Sequence, residues 1–308
     1  MALLFIACNK DRLEMQVNTT QPTGDNYSSM YDFYQKNEVP MQTFQFNSVT
    51  GGSNTFLKGT VVTVPPNAFK TLTGDTISGI VTLEIKEIYK KSDMLLSDIG
   101  TTKYAYHTWL KSGGMFFIKA LINNVAVKLA TGSVITINQP FSAVPAPADS
   151  QMQAFIGVKD SSNRIGWYAA DTVKLNALNY VFSLYQFTTP EDSGTWCNSD
   201  DRYFFYTFTS TTLTATPADN VDTFQTDVFL VFKTVNCMVH VYYNGSNFPY
   251  SYAPENLPFT VVAVGVKGGK LYSYFSPLPV SLTGSQTINF TLSQTTTADF
   301  KNQLQALN

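Results

Sequence analysis

Carboxylate side chains are concentrated in one short segment, residues 191–201. The segment contains Glu191, Asp192, Asp200 and Asp201. Hard oxygen ligands of this kind can bind calcium, but their spacing does not match an EF-hand loop. We therefore interpret the segment as a solvated acidic loop. Asp192, Asp200 and Asp201 are kept as weak calcium candidates, and no metal or other cofactor is predicted.

Two cysteines, Cys197 and Cys237, would close a loop of about forty residues if they paired. In an exported protein they could form a disulfide, which would stabilise the fold by roughly 2–4 kcal/mol. Two separate buried thiols are the alternative, and the sequence does not choose between them. Neither cysteine has a histidine near it in the sequence, so a nucleophilic cysteine ranks behind both interpretations.

Aromatic residues make up 14% of the chain and include three tryptophans. Exposed aromatic rings can stack on sugars, so Trp109, Trp167 and Trp196 form a candidate ligand platform. The alternative is that most aromatic side chains pack in the cores of β-sandwiches and across neighbouring strands. The exposure of these three indoles separates the two interpretations.

The sequence contains no recognisable catalytic constellation. It has two histidines, His107 and His240, and each is interpreted as a structural or surface residue. Glu84 and Glu87 fall in one predicted strand, where an offset of three places them on opposite faces. We predict a protein that is not an enzyme, although carboxylates from separate strands could still build a hydrolase site.

The composition indicates a globular protein rich in β-strands. Of the 308 residues, 44% are apolar and 14% are charged, and the formal net charge is −2. A general nucleic-acid-binding protein needs a basic face, so no nucleic-acid partner is predicted. The abundant threonines and aromatic residues suit pleated, half-buried surfaces.

The first residues resemble the end of a bacterial lipoprotein signal peptide. Residues 1–8 form an apolar run that ends in Ala7-Cys8. This resemblance implies a lipid on the thiol of Cys8 that anchors the protein to the outer membrane of the cell envelope, facing the periplasm or the surface. The alternative is an apolar N-terminus with an incidental cysteine. Residues 9–42 are polar and are predicted to form a flexible tether, with a short helix near residues 30–35.

Short apolar segments separated by glycine, proline and asparagine predict an antiparallel β-sandwich over residues 43–188. A strand at Val61–Val64 ends at two prolines, which cannot donate to a strand ladder. Residues 121–127 predict a hairpin whose turn contains Asn123 and Asn124, because asparagine tolerates positive φ.

Residues 189–308 are predicted to form a second β-sandwich of immunoglobulin-like type, since the preceding segment is polar and rich in turn residues. Continuous apolar runs at 228–232 and 261–264 predict central strands. Residues 297–307 have helical spacing. The predicted fold class is therefore all-β, with two antiparallel β-sandwich domains and a short C-terminal helix.

Two motifs of the first predicted domain resemble a known family. The segment Gly-Thr-Val-Val-Thr-Val-Pro-Pro-Asn-Ala-Phe at 59–69 and the Ser-Gly-Gly-Met stretch at 112–115 resemble the sandwich domain of ankyrins, netrin receptors and tight-junction scaffold proteins. From Gly51 onward the chain is more similar to extracytoplasmic Bacteroidetes proteins that carry a bacterial version of this domain. The resemblance implies an interaction or scaffold module. His107 is followed by Thr108, so the self-cleavage motif of some relatives is absent.

These observations lead to three functional hypotheses. The first is a lipid-anchored envelope protein that binds a protein partner or has a structural role. The second is an accessory glycan-binding protein of a polysaccharide-uptake system, which requires an exposed aromatic platform in a groove. The third is a hydrolase with carboxylates contributed by separate strands.

Overall fold

A computed structural model describes seven stretches of the chain. They are residues 25–103, 109–140, 151–160, 164–177, 180–187, 194–218 and 225–308. The predictions made for residues 1–24, including the lipid anchor on Cys8, lie outside the described residues, as do those for His107 and Asp192.

Strands dominate the described residues, and three helices accompany them. The helices are α1 (Met30–Asn37), α2 (Lys91–Leu96) and α3 (Thr297–Gln305). The strands up to residue 201 are β1 (Gln42–Asn47), β2 (Gly52–Thr55), β3 (Val61–Val64), β4 (Phe69–Thr71), β5 (Ile80–Ile88), β6 (Lys111–Ile122), β7 (Val125–Leu129), β8 (Ile135–Asn138), β9 (Gln153–Lys159), β10 (Ile165–Ala169), β11 (Val173–Asn176), β12 (Val181–Leu184) and β13 (Gly194–Asp201).

After β13 the chain makes a 3₁₀ turn at Phe204–Thr207. The remaining strands are β14 (Ser210–Pro217), β15 (Thr226–Phe232), β16 (Met238–Val241), β17 (Phe248–Pro254), β18 (Phe259–Lys267), β19 (Lys270–Phe275), β20 (Gln286–Phe290) and β21 (Ser293–Gln294).

These strands form four sheets. Sheet A has the order β1-β5-β6-β13-β9-β10, with β7 paired to β6 and β4 paired to β7, and sheet B has the order β11-β12-β8-β3-β2. Sheet C has the order β17-β14-β20, and sheet D has the order β16-β15-β18-β19-β21. Their ladders are antiparallel, except that β14 runs parallel to β20. The predicted all-β fold class is confirmed.

The four sheets form two pairs. Each pair encloses a hydrophobic core, and a third core lies between the two pairs. Sheets A and B enclose the first core, which contains Val81, Leu83 and Ile137, and we call this unit the first sandwich. Sheets C and D form the second sandwich around Leu213 and Leu230. The third core, here called the seam, joins the outer faces of sheets A and D with residues of all three helices.

The seam explains why two strands of sheet D are apolar on both faces. Within β15, Leu230 points into the second core, whereas Phe229 and Val231 belong to the seam. In β18, Val261 and Val262 divide between the same two cores. Since both faces are buried, the usual alternation of apolar and polar residues disappears. Both strands are central in sheet D, as the continuous apolar runs predicted.

Helix α1 confirms the short helix predicted near residues 30–35 and corrects the flexible tether predicted around it. Met30, Phe33, Tyr34 and Asn37 are buried, at the spacing i, i+3, i+4 and i+7 that places them on one helix face. The side chain of Ser29 caps the helix by accepting a hydrogen bond from the backbone N–H of Asp32 (3.1 Å). Residues 25–42 are therefore folded against the seam and do not form a free linker.

The predicted domain boundary at residues 188–189 is also wrong. Strand β13 begins at Gly194 and pairs with both β6 and β9 in the middle of sheet A. The first sandwich therefore extends to Asp201. In addition, Trp109 belongs to the second core although it lies within the segment assigned to the first domain.

Candidate ligand-binding groove

A groove lies on the outer face of sheet A, against α1 and the segment that follows α2. Its volume is ≈ 280 Å³. The floor is formed by Phe117, Ile165 and Trp196, which come from three strands of sheet A. The walls are formed by Tyr31, Tyr34, Gln35, Glu38 and Met41 from α1 and its C-terminal extension, by Ser97, Asp98 and Ile99, and by Lys159.

The position of the Trp196 indole follows from its neighbours across the sheet. On one side Trp196 is paired with Phe117, and the two ring centroids are 5.0 Å apart. On the other side it is paired with Gly157, where a Cβ atom would lie 2.6 Å from the Cβ of Trp196. The glycine leaves room for the tryptophan, and the phenylalanine supports its ring. A partly exposed indole is thereby held at the floor of the groove.

A chain of hydrogen bonds lies behind the polar wall of the groove. Nδ1 of His240 is 3.0 Å from Oδ1 of Asp98, and its Nε2 is 3.1 Å from Oδ1 of Asp227. The hydroxyl of Tyr34 donates to Oδ2 of Asp227 (2.7 Å). Asp98 and Tyr34 both line the groove, so His240 connects two groove residues through two carboxylates.

Backbone contacts between the sandwiches position Asp98. It follows α2 and has φ of 49°, a left-handed conformation that aspartate tolerates better than most residues. The next turn is tied to sheet D, because the N–H of Thr101 donates to the carbonyl of Met238 (2.9 Å). Met238 and His240 lie in the same strand, β16. The same connection thus brings the carboxylate of Asp98 to the imidazole of His240.

The carboxylates change the protonation of the groups in this chain. Burial lowers the pKa of His240, but the charges of Asp98 and Asp227 and their hydrogen bonds outweigh burial and raise the pKa well above 6.5. Burial raises the pKa of Asp227, whereas the charge and hydrogen bond of His240 lower it to a net value below 3.8. Burial, followed by the charges of Asp227 and Asp98, raises the pKa of Tyr34 well above 10.0. The arrangement therefore favours an imidazolium between two carboxylates.

The structure corrects two of the three predicted platform residues. Trp109 is 3% exposed and packs in the second core, where its indole N–H donates to the hydroxyl of Tyr250. Trp167 is 0% exposed and lies in the seam, with its indole N–H donating to the carbonyl of Gly100 (2.8 Å). Both indole N–H groups therefore have a hydrogen-bond acceptor inside the protein. Trp196 alone of the three lines the groove.

The two cysteines are free thiols, so the alternative to the disulfide holds in the structure. Cys197 points into the first core and Cys237 into the second. Because the side chains face different cores, they do not pair. Burial raises the pKa of Cys197 strongly and that of Cys237 to about 12, which keeps both thiols protonated. The hydroxyl of Thr101 donates to Sγ of Cys237 (3.0 Å).

The structure also corrects the prediction of a solvated acidic loop at Asp200 and Asp201. Asp200 and Asp201 are buried members of β13, and burial raises the pKa of Asp200 well above 3.8. Asp201 accepts hydrogen bonds from the backbone N–H groups of Tyr203 (2.9 Å) and Phe204 (3.2 Å), which start the 3₁₀ turn. Within the described stretches, no group of three or more His, Cys, Asp or Glu side chains is arranged to hold a metal ion.

Sequence reasoning missed most of the groove. His240 was interpreted as a structural or surface histidine, and Asp98, Asp227 and Tyr34 were not identified. One signal was available, since Ser29 followed by Asp32 at the third position is a helix N-terminal pattern. The short helix predicted near residues 30–35 already contained Tyr31 and Tyr34, and this pattern would have fixed where it begins.

Three other surface grooves, of ≈ 430, 550 and 590 Å³, are larger. None of them is lined by a tryptophan or a histidine within the described stretches. We select the Trp196 groove because it combines a partly exposed indole with groups of perturbed pKa, a combination typical of binding sites.

None of the described helices has the length and apolar character needed to span a bilayer. No protein-family model and no curated protein sequence matches the chain.

Proposed function

We propose that this protein is a non-catalytic binding protein of the cell envelope that takes a short saccharide in the Trp196 groove. The observation that carries the proposal is the partly exposed indole of Trp196, supported by Phe117 at the floor of a groove with polar walls. An aromatic ring offers the apolar face on which a sugar ring can stack, while the walls offer hydrogen-bonding groups for its hydroxyls.

The polar walls suit a neutral, hydroxyl-rich ligand. Gln35 offers both a donor and an acceptor, and Ser97 offers a hydroxyl. Glu38 and Asp98 each offer the carboxylate oxygen that does not face Lys86 or His240. Lys159 contributes an ammonium donor from the sheet side. Acidic and basic side chains on the same groove do not favour a strongly charged ligand of either sign.

The size of the groove supports a ligand of one or two sugar rings. Its volume of ≈ 280 Å³ is slightly below the roughly 300–1,000 Å³ of sites for drug-sized molecules. A protein partner would need an interface of about 800 Å² on each side, far more than the groove alone provides.

The proposal is tested first with a glycan array that displays bacterial and host saccharides, followed by calorimetry on the strongest hit. We expect Trp196→Ala to weaken that binding at least tenfold, which corresponds to about 1.4 kcal/mol. Trp196→Phe keeps an aromatic ring and should retain part of the affinity. Thermal unfolding of both variants verifies that they are folded.

A matched control is Tyr206→Ala. Tyr206 is an exposed aromatic residue of the 3₁₀ turn and does not line the groove. Its removal should leave binding unchanged. A blank array for the wild-type protein, or equal binding by the wild type and Trp196→Ala, would contradict the saccharide proposal.

The envelope location rests on the sequence around Cys8 and has its own test. Cells that express the protein are grown with radiolabelled fatty acid, and the protein is then isolated. We expect label on the wild type and none on Cys8→Ala, because the thiol is the proposed site of acylation. An unlabelled wild type, or label that persists on Cys8→Ala, would rule out the anchor.

A further inference from the structure

Both ring nitrogens of His240 face a carboxylate oxygen. The oxygens of Asp98 and Asp227 lie 3.0 and 3.1 Å from Nδ1 and Nε2. A neutral imidazole carries a single N–H and can donate to only one of them, whereas an imidazolium donates to both. When the proton is lost, one nitrogen presents a lone pair to a carboxylate, and that contact becomes repulsive. The observed geometry therefore favours the charged ring.

The two carboxylates belong to different parts of the fold. Asp98 follows α2 and lines the groove directly. Asp227 lies in β15 and accepts a hydrogen bond from Tyr34, which projects from α1 and also lines the groove. If His240 loses its contact with either carboxylate, Asp98 and Tyr34 are no longer connected through the imidazole.

Other groups near the His240 ring do not change its preference for the imidazolium form. The ring of Phe229, in the same strand as Asp227, lies 4.6 Å from the imidazole, and the ring of Tyr242, just after β16, lies 4.5 Å from it. The guanidinium of Arg164 lies over Tyr242 at 4.0 Å and donates to the carboxylate of Asp160 (2.7 Å). The positive charge of Arg164 is thus paired with Asp160.

We infer that His240 is a positioning residue of the groove, and that ligand binding is coupled to its protonation. With the imidazolium in place, Asp98 and Tyr34 are held in register on the two sides of the groove. Release of the proton loosens one side and weakens binding. The coupling to ligand rests on the proposed function, whereas the coupling to groove structure does not.

The direction of the pH effect follows from the pKa shifts. The raised pKa of His240 makes its stabilising contribution complete below 6.5 and removes it as the pH rises through the folded value. The lowered pKa of Asp227 makes its contribution complete above 3.8 and removes it as the pH falls through the folded value. The contacts are therefore strongest in mildly acidic solution and weaken at alkaline pH.

Nuclear magnetic resonance tests the inference without a ligand. The chain has two histidines, so His107→Asn leaves His240 as the only labelled ring in a ¹⁵N-histidine sample. We expect both ring nitrogens to show imidazolium shifts with a midpoint above pH 6.5. In a matching ¹⁵N-tryptophan sample, the indole N–H signal of Trp196, assigned with Trp196→Phe, should move with the same midpoint. The signal of Trp109, buried in the second core, should not move.

Two variants make the result decisive. In His240→Gln the Trp196 signal should no longer follow pH in this range, and in Asp98→Asn the midpoint of His240 should fall. A midpoint at or below about 6.5, or a Trp196 signal that does not follow His240, would overturn the inference. An unchanged pH response of Trp196 in His240→Gln would do the same. For the saccharide that binds best on the array, affinity should decline above the His240 midpoint, and pH-independent affinity would overturn the coupling to ligand alone.

Discussion

Replacing Phe33 by alanine is expected to lower the free energy of unfolding by about 3–5 kcal/mol. Phe33 is 0% exposed, and its ring lies 5.2 Å from that of Tyr27, 5.4 Å from that of Tyr34 and 5.8 Å from that of Phe300. The side chain therefore holds α1 against α3 in the seam. Because a domain is typically stable by only about 5–15 kcal/mol, this is a large fraction of the total.

Urea unfolding of the purified protein measures this effect, and the same helix supplies the control. Tyr31 is 69% exposed, so Tyr31→Ala should change the free energy of unfolding by no more than about 0.5 kcal/mol. Hydrogen exchange of the α1 amides should accelerate in Phe33→Ala and not in Tyr31→Ala. If the two variants had the same free energy of unfolding, the packing of α1 would not stabilise the fold, as expected for the flexible tether predicted from the sequence.

The strands were predictable because their signals are local. The pair Asn123-Asn124 predicted a hairpin, and both residues adopt positive φ, 49° and 63°, between β6 and β7. In β5, Val81, Leu83 and Ile85 alternate with polar residues, which is the pattern of a strand with one buried face, and these three side chains lie in the first core. These features depend only on side-chain periodicity and turn preference.

A short helix near residues 30–35 was predicted, but the packing of α1 and the domain boundary were not predictable in the same way. The helix has eight residues in a polar segment, too short to form without tertiary contacts. It is stabilised by the seam, which joins residues far apart in sequence. Strand β13 returns to the middle of sheet A after a polar segment that resembled a linker. Contacts between segments that far apart in the chain produce no local sequence pattern.

The candidate groove depends on the same long-range packing. His240 is separated from Asp98 by 142 residues, and Tyr34 from Asp227 by 193. No spacing rule connects residues that far apart. Trp196 was recognised as a candidate from its residue type, but its exposure depends on the gap left by Gly157 in the neighbouring strand.

Replacing Glu87 by alanine is expected to lower the free energy of unfolding by at least about 2 kcal/mol, at roughly 1–3 kcal/mol for each of the two buried donors that lose their acceptor. The Glu87 carboxylate accepts hydrogen bonds from the side-chain amide of Gln42 (2.8 Å) and from the backbone N–H groups of Lys58 (2.9 Å) and Thr60 (3.2 Å). Lys58 and Thr60 lie in the turn between β2 and β3, at the edge of sheet B. Glu87 in β5 thus joins that edge to sheet A and closes the first sandwich.

Glu84 on the same strand provides the control for Glu87. It forms a partly exposed ion pair with Lys119 (2.9 Å), and pairs of this kind contribute at most about 1 kcal/mol. Urea unfolding should therefore separate Glu87→Ala clearly from Glu84→Ala. Glu87→Gln keeps the shape and one acceptor oxygen but turns its other group into a donor, so its loss should be intermediate. If the two alanine variants were equally stable, the turn between β2 and β3 would owe its conformation to its own residues, with Gly59 at φ of 92°, and not to the buried carboxylate.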